Sequence, residues 1–399
     1  MGRAAMLGLL FSCLSAAETA QTGESAALLA RIREAALDNL RRLPNFTCGE
    51  TIERSSRTGG KGPFESVDRV RLEVGYIDGR ELFGWPGGEK LAEQDLRRLV
   101  HGNTTNGEYA LLIRALFSRS GVVWGEMAPE DRNGRAAVRF DFRVPRKVSD
   151  FVVAAGVSYA LLGYHGSLWA DRDSLQVAEI RIAADDIPWT TAYTAISRAL
   201  ELRPAAIGTG QFVLPARAVF SATTANGVEY RNETEFHDCR QYLAESVIRF
   251  EEEPVADGGG KAPAATREAA TALPETFQVT LELESPVDSE TSAVGDPIAA
   301  RLLAAIKSNG QTVVPKGAIL HGRIVRLDVV DGRRNADFAF TYFEAGGMRV
   351  RIGSRRNQIV ARRSRIFTPD QGPILAGGRD LRLPRGFSFE LLSTAAGGR

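Results

Sequence analysis

Between Val70 and Tyr76 the chain alternates strictly. Val70, Leu72, Val74 and Tyr76 fall on one side, Arg71 and Glu73 on the other. A period of two predicts a strand with one buried face. The pattern returns at Val138, Phe140, Phe142 and Val144 against Arg139, Asp141 and Arg143, and at Val279, Leu281 and Leu283 against Thr280, Glu282 and Glu284. Strands are also predicted over residues 46–57, 81–85, 122–127, 164–171, 177–182, 212–220, 229–237 and 242–250. Asp78-Gly79, Asn133-Gly134, Asp171-Arg-Asp-Ser174 and Asn226-Gly227 supply the turns between them.

A different period governs residues 24–43. Leu28, Ile32, Ala35, Ala36, Asn39, Leu40 and Leu43 recur at three-four spacing, and Pro44 ends the run. Two shorter helices are predicted over 91–100 and 108–117, separated by a polar loop. Helices and strands do not alternate, which excludes a doubly wound parallel sheet. The expected class is α+β and β-rich: a curved antiparallel sheet over a few helices, followed by a small all-β barrel domain.

Glu251 to Glu253, Gly258 to Gly260 and an Ala/Pro/Thr stretch reaching Pro274 hold almost no large apolar residues. The division predicted is a signal peptide over 1–20, a half-barrel-like domain over 21–253, a flexible linker over 254–275 and a β-barrel domain over 276–399. Strands in the last part are expected over 318–330, 336–343, 348–352 and 381–392. Pro315-Lys-Gly317 forms a tight turn before the first of them.

A chain of 399 residues is too long for one ordinary core. Fifty basic residues against 49 acidic ones leave no global field to attract nucleic acid. The N-terminus reads as an export signal: Arg3, an apolar run from Ala4 to Leu14, then Ser15, Ala16 and Ala17. A buried N-terminal helix is the alternative. Cleavage after Ala17 or Ala20 would give an exported chain, periplasmic or outer-membrane associated. Leu10-Phe11-Ser12-Cys13 makes Cys13 a candidate for lipidation. No later apolar run approaches the ~20 residues that a transmembrane helix needs.

Cys48 and Cys239 then remain as an even pair, expected as a disulfide in an oxidising compartment, with two unrelated buried thiols as the alternative. Two thiols without a nearby histidine fall short of a zinc set, and no metal or cofactor is expected. His101, His165, His237 and His321 lie far apart in sequence. His237-Asp238 beside Cys239 suggests a thiol–imidazole pair, which a disulfide would remove. No Gly-x-Ser-x-Gly elbow occurs. The carboxylate pairs Glu130-Asp131 and Asp185-Asp186, with Glu251 to Glu253, read as solvated loop charge, and no catalytic residue is assigned. Arg349, Arg351, Arg355, Arg356, Arg362, Arg363 and Arg365 form the one charge concentration, with no acid between Glu344 and Asp370. They are a candidate patch for an anionic partner, with a solvated basic loop as the alternative.

Leu43-Pro-Asn-Phe-Thr-Cys48, Arg139-Phe-Asp-Phe-Arg-Val144, Trp169-Ala-Asp171 and Leu214-Pro-Ala216 carry a resemblance to an uncharacterised family of exported bacterial proteins. The element order of that half is similar to the periplasmic lipoprotein carriers. The resemblance implies a curved sheet wrapped over helices, with a lipid or lipoprotein ligand in an apolar groove; a plainly packed core is the other reading. Ser289 to Asp296, Val313-Val-Pro-Lys-Gly317, Leu320-His-Gly322 and Phe338 to Gly347 resemble the β-barrel domain of conjugation and type IV secretion outer-membrane channel proteins. That resemblance implies docking to an envelope protein or cell-wall partner. The function expected is a non-enzymatic envelope binding or scaffold protein. The alternatives are a periplasmic glycan hydrolase and an accessory component of a secretion or conjugation apparatus.

Overall fold

The structure, a computed structural model, describes residues 8–88, 91, 96–100, 102, 104, 111–132, 134–155, 158–242, 267–268, 273–330, 333–353, 358–360, 374–375 and 380–394. By contacts the chain divides into two compact units. The first comprises Met1–Glu65, Val74–Phe83 and Ala92–Tyr242; the second comprises Ser66–Glu73, Gly84–Leu91 and Leu243–Arg399.

The first half opens with helix α1 (Gly8–Arg42), followed by β1 (Phe46–Thr58), β2 (Glu65–Ile77) and β3 (Arg80–Gly84). Helices α2 (Leu96–Leu99) and α3 (Leu111–Ser118) come next. The remaining strands are β4 (Val123–Arg132), β5 (Arg135–Val144), β6 (Phe151–Ala155), β7 (Ser158–Asp171), β8 (Val177–Asp185), β9 (Tyr193–Ile207), β10 (Gly210–Thr224) and β11 (Val228–Gln241). They form one curled antiparallel sheet, a half-barrel, in the order β3-β2-β1-β11-β10-β9-β8-β7-β5-β4, with β6 added on β7.

The inner face of β5 to β10 is the apolar half of the alternation. Val138, Phe140, Phe142 and Val144 join Leu168, Ile180, Ile182, Leu200 and Leu202 in one buried cluster. Helices fill the trough. α1 contributes Leu28 and the fully buried Ile32, and α3 contributes Leu112, Ile113, Leu116 and Phe117. Each such side chain stabilises by roughly 1.5–3 kcal/mol on burial. Trp124 stacks on Phe117 at 5.6 Å and seals the β4 end.

The outer face carries charge in register. Trp169 lies under the Arg132 and Arg181 guanidiniums, 4.9 and 5.2 Å from its ring, and donates its indole N–H to Glu130 at 2.8 Å. Glu179 pairs with both arginines, and Arg217 bridges Glu201 and Glu233 across the neighbouring strands.

In the first unit two strands, β6 and β9, lie outside those expected from the sequence. β9 reads Ala-Ile-Ser-Arg-Ala-Leu-Glu-Leu-Arg-Pro, rich in good helix formers and broken by Pro204. Pairing with both neighbours overrides that preference, and the β8–β9 register runs from Ala183↔Ser197 to Glu179↔Glu201, so Pro204 lies beyond it. β6, with the first half of β7, forms a hairpin of its own, with Phe151↔Leu162 and Val152↔Leu161 paired. The helix expected over 24–43 begins at Gly8; Ala16, Ala17 and Ala20 favour the helical extension, which carries Gly23 within it. The strand expected over 242–250 lies outside the described residues beyond Tyr242.

The second unit is all-β. Its nine-stranded sheet places Thr276–Leu283 between Pro297–Leu302 and Ser388–Thr394. Ile319–Val330 pairs with Pro297–Leu302 on one side and Arg333–Ala345 on the other. The Pro315 turn forms as expected: Gly317 has φ of 86° and the Ala318 N–H donates to the Pro315 carbonyl at 3.2 Å. Within the expected linker, Arg267–Glu268 pairs with Met348–Arg349; residues 254–266 and 269–272 lie outside the described residues.

Candidate functional site

Between the C-terminal half of α1 and strands β8 to β10, a cavity of about 210 Å³ opens in the first unit. Small residues make it. Ala35 and Ala36 sit on the inner face of α1 where Leu28 and Ile32 stand earlier in the helix, so the same stripe that fills the trough near residue 30 leaves room one turn later. The opposite walls are Ile113 of α3, Val177 of β8, Leu202 of β9 and Phe212 of β10. Ile113, Val177 and Leu202 are buried.

The mouth is polar. Gln176 and Gln211 are exposed beside it, and Arg42 holds the Asp38 carboxylate at 2.7 Å across one helical turn. Asn39 closes one wall. Its amide donates to the Val213 carbonyl and its oxygen accepts the Val213 N–H, both at 2.9 Å. An apolar floor with a few convergent polar groups is the usual make-up of a small-molecule site. This volume exceeds the roughly 150 Å³ of an apolar cavity that takes benzene and falls short of the roughly 300–1,000 Å³ of drug-sized sites. It suits one short chain or ring.

Cys48 and Cys239 form a disulfide. The register explains the meeting: Thr47 faces Arg240 and Gly49 faces His237. One β1 residue therefore stands opposite two of β11, a bulge, and Asp238 takes the left-handed φ of 50° that the extra residue needs. Cys239 is thus no nucleophile. His237 instead meets the Asp238 carboxylate at 2.8 Å and the Thr51 hydroxyl at 3.1 Å. Hydroxyl, imidazole and carboxylate are in line, yet His237 is 48% exposed and Asp238 83%. So exposed, this arrangement lacks the dry, preorganised surroundings that acyl transfer requires.

The remaining candidates scatter. His165 reaches Asp185 at 2.6 Å, and Arg143 holds the other oxygen of that carboxylate at 3.2 Å. His321 stacks on Tyr342 and faces Glu344 at 3.2 Å. His101 lies outside the described residues. Glu130 is engaged by Arg139 and Trp169, and Asp131 caps the Gly134 N–H; Glu251 to Glu253 lie outside the described residues. Burial pushes the Tyr164 phenol up to about 12, so it stays neutral. Among the described residues no cluster of three or more His, Cys, Asp or Glu could hold a metal.

Of the arginine concentration, only Arg349 and Arg351 are described. Arg349 lies over the Tyr342 ring at 4.8 Å and Arg351 faces Tyr342 across the strand pair. Arg355, Arg356, Arg362, Arg363 and Arg365 lie outside the described residues. Cys13 falls within α1, in the part of the helix whose side chains are not described. No helix among the described residues is long and apolar enough to cross a membrane.

The cavity had no signal of its own in the sequence. Ala35, Ala36 and Asn39 all lie on the helical stripe, and only Asn39 breaks its apolar character.

No protein-family model matches the chain, and no curated protein matches it significantly. Among solved structures, a DUF1329 family protein from Desulfovibrio piger is similar at a TM-score of 0.29 and 11% identity, over 54% of this chain and 94% of that one. A LolA superfamily protein from Nitrosomonas europaea is similar at a TM-score of 0.25 and 10% identity, over 55% of this chain and 97% of that one.

Proposed function

We propose that this is a non-enzymatic binding protein of the cell envelope whose first unit holds an apolar group of a lipid or lipoprotein between α1 and strands β8 to β10. One observation carries the reading: the cavity faced by Ala36, Val177, Leu202 and Phe212, open at a polar mouth. The apolar part of an amphiphile would sit on the alanine face of α1. Its polar end would reach Gln176, Gln211 and the Arg42–Asp38 pair. The size argues for one acyl chain end.

Export by the leader over 1–20, lipidation at Cys13 and docking of the second unit to an envelope partner belong to the same proposal. The disulfide supports an oxidising compartment, since such bonds are rare in reducing ones.

Native mass spectrometry of the purified chain with dodecanoic acid tests the ligand. A chain-sized adduct is expected, and Ala36→Phe, which fills the cavity, should abolish it without lowering the melting temperature. A bare mass for the wild type at saturating acid would leave a packed scaffold as the account of the first unit.

A further inference from the structure

We propose that the β6–β7 end of the first unit seats on an anionic lipid bilayer surface, with Trp189, Val152 and Leu161 entering the interface and Arg146 and Lys147 meeting the headgroups. This surface is separate from the cavity and does not depend on it being occupied.

The hairpin has two faces. Phe151, Val153, Ala160 and Leu162 point inward to a small cluster with Ile196 and Ala222. The residues between them point out: Val152 is 53% exposed and its cross-strand partner Leu161 is 36% exposed. Tyr159, two residues along the same face, is 65% exposed. Single exposed apolar residues are ordinary, but a cross-strand group on one face is not.

Trp189 adds to it. It begins a short 3₁₀ turn, Trp189–Thr191, that packs against the hairpin, while Ile187 just before it joins the hairpin's cluster. The turn is firmly held. Thr191 is buried and its hydroxyl donates to the Pro188 carbonyl at 2.8 Å, and Ala192 follows at φ of 62°. On this fixed support Trp189 is 90% exposed. A tryptophan that could bury ~150–250 Å² is instead presented to the outside.

The charge around the hairpin's base decides the occupant. Arg146 and Lys147 form the 3₁₀ turn that leads into β6, and the Arg146 backbone lies against Gly163 of β7. Both are exposed and neither makes an ion pair among the described residues. Among the nearby acids, Asp150 is taken by Arg119 at 2.8 Å and Asp185 by Arg143 and His165, which leaves the exposed Asp186 against the two cations Arg146 and Lys147. Net positive charge beside exposed Trp, Tyr, Val and Leu is the chemistry of a bilayer interface, where amphipathic rings sit at headgroup level and cations meet anionic lipid.

Co-flotation with vesicles tests this directly. The full chain should float with phosphatidylcholine vesicles containing phosphatidylglycerol, and much less with phosphatidylcholine alone. Arg146→Ala with Lys147→Ala should weaken binding to the mixed vesicles about thirtyfold, the equivalent of about 2 kcal/mol. Trp189→Ser should weaken it at least as much on either vesicle. Trp189 is exposed, so that variant should fold normally, and an unchanged melting temperature checks it. In the wild type, brominated lipid should quench a fluorescence component that Trp189→Phe lacks. A wild type that does not float with the mixed vesicles, or a Trp189→Ser variant that floats as well as wild type, overturns the proposal.

Discussion

Asn39 and Val213 exchange two hydrogen bonds, side-chain amide to backbone, each 2.9 Å long. The residue opposite Val213 on β9 is Pro204, which has no N–H to give. The β10–β11 pairing starts only at Arg217↔Glu235, so no strand serves Val213 from that side either. A helical asparagine thus completes the ladder, and it fixes α1 against the sheet at the wall of the cavity. Asn39→Ala would leave a half-buried N–H and C=O without partners. The expected loss is about 1–3 kcal/mol, read from urea unfolding at constant m-value. Adduct formation with dodecanoic acid should fall with it.

That residue shows what the sequence could and could not convey. The period-two runs around Val138 to Val144 and Val279 to Leu283 placed strands that the structure contains, because a sheet with one wet face writes its alternation into the chain. The α1 stripe was equally legible. Asn39 stood on that stripe as an anomaly, and its meaning required Pro204, 165 positions away by subtraction of the two numbers. β9 was hidden because its local preference is helical and only long-range pairing makes it a strand. The cavity was hidden for a related reason: Ala35 and Ala36 look like core, and only the distance to Leu202 and Phe212 shows that nothing fills the space.

The Cys48–Cys239 bond closes a loop of 191 residues between two strands already paired. The chain-entropy model credits such a loop with about 5 kcal/mol as an upper figure. Reduction, or Cys48→Ser with Cys239→Ser, should therefore destabilise the first unit by about 2–5 kcal/mol. Denaturant curves with and without dithiothreitol measure it. Equal midpoints would show that the β1–β11 ladder holds alone.

Two carboxyls should give the pH profile opposite slopes. Asp171 is held below its ordinary range, chiefly by the Ser174 N–H at 2.8 Å, with the Ser174 hydroxyl and Asp173 N–H adding to it. A depressed value means stability present above the unfolded value and lost as acid titrates the native carboxylate. Asp337 is raised, mainly by burial, so it favours the acid form and native stability falls as pH rises through its raised value. Asp171→Asn should flatten the acid limb of the stability curve. Asp337→Asn should stabilise the second unit at neutral pH. Thermal melts across the acidic to neutral range separate the two, and unchanged melts for both variants would refute the assignment.

Gly295 should be the least replaceable residue of the second unit. Its φ is 100°, a conformation that side chains rarely take. A Cβ there would fall well inside contact distance of the Arg71 carbonyl and of the Trp85 ring, both in the same unit. Backbone pairing sets that approach: the Arg71 N–H donates to the Val294 carbonyl at 2.8 Å, and Gly295 N–H donates to the Ile324 carbonyl at 2.8 Å. The Arg71 guanidinium then grips both oxygens of Asp296, at 2.8 and 2.7 Å. Moving the backbone to admit a methyl group would break this set together. Gly295→Ala should cost about 2–4 kcal/mol, the sum of overpacking and left-handed strain. Asp296→Ala leaves the backbone in place and should cost less. Trypsin sensitivity of the second unit in the two variants gives the order, and a Gly295→Ala protein as resistant as wild type would show that the segment can yield.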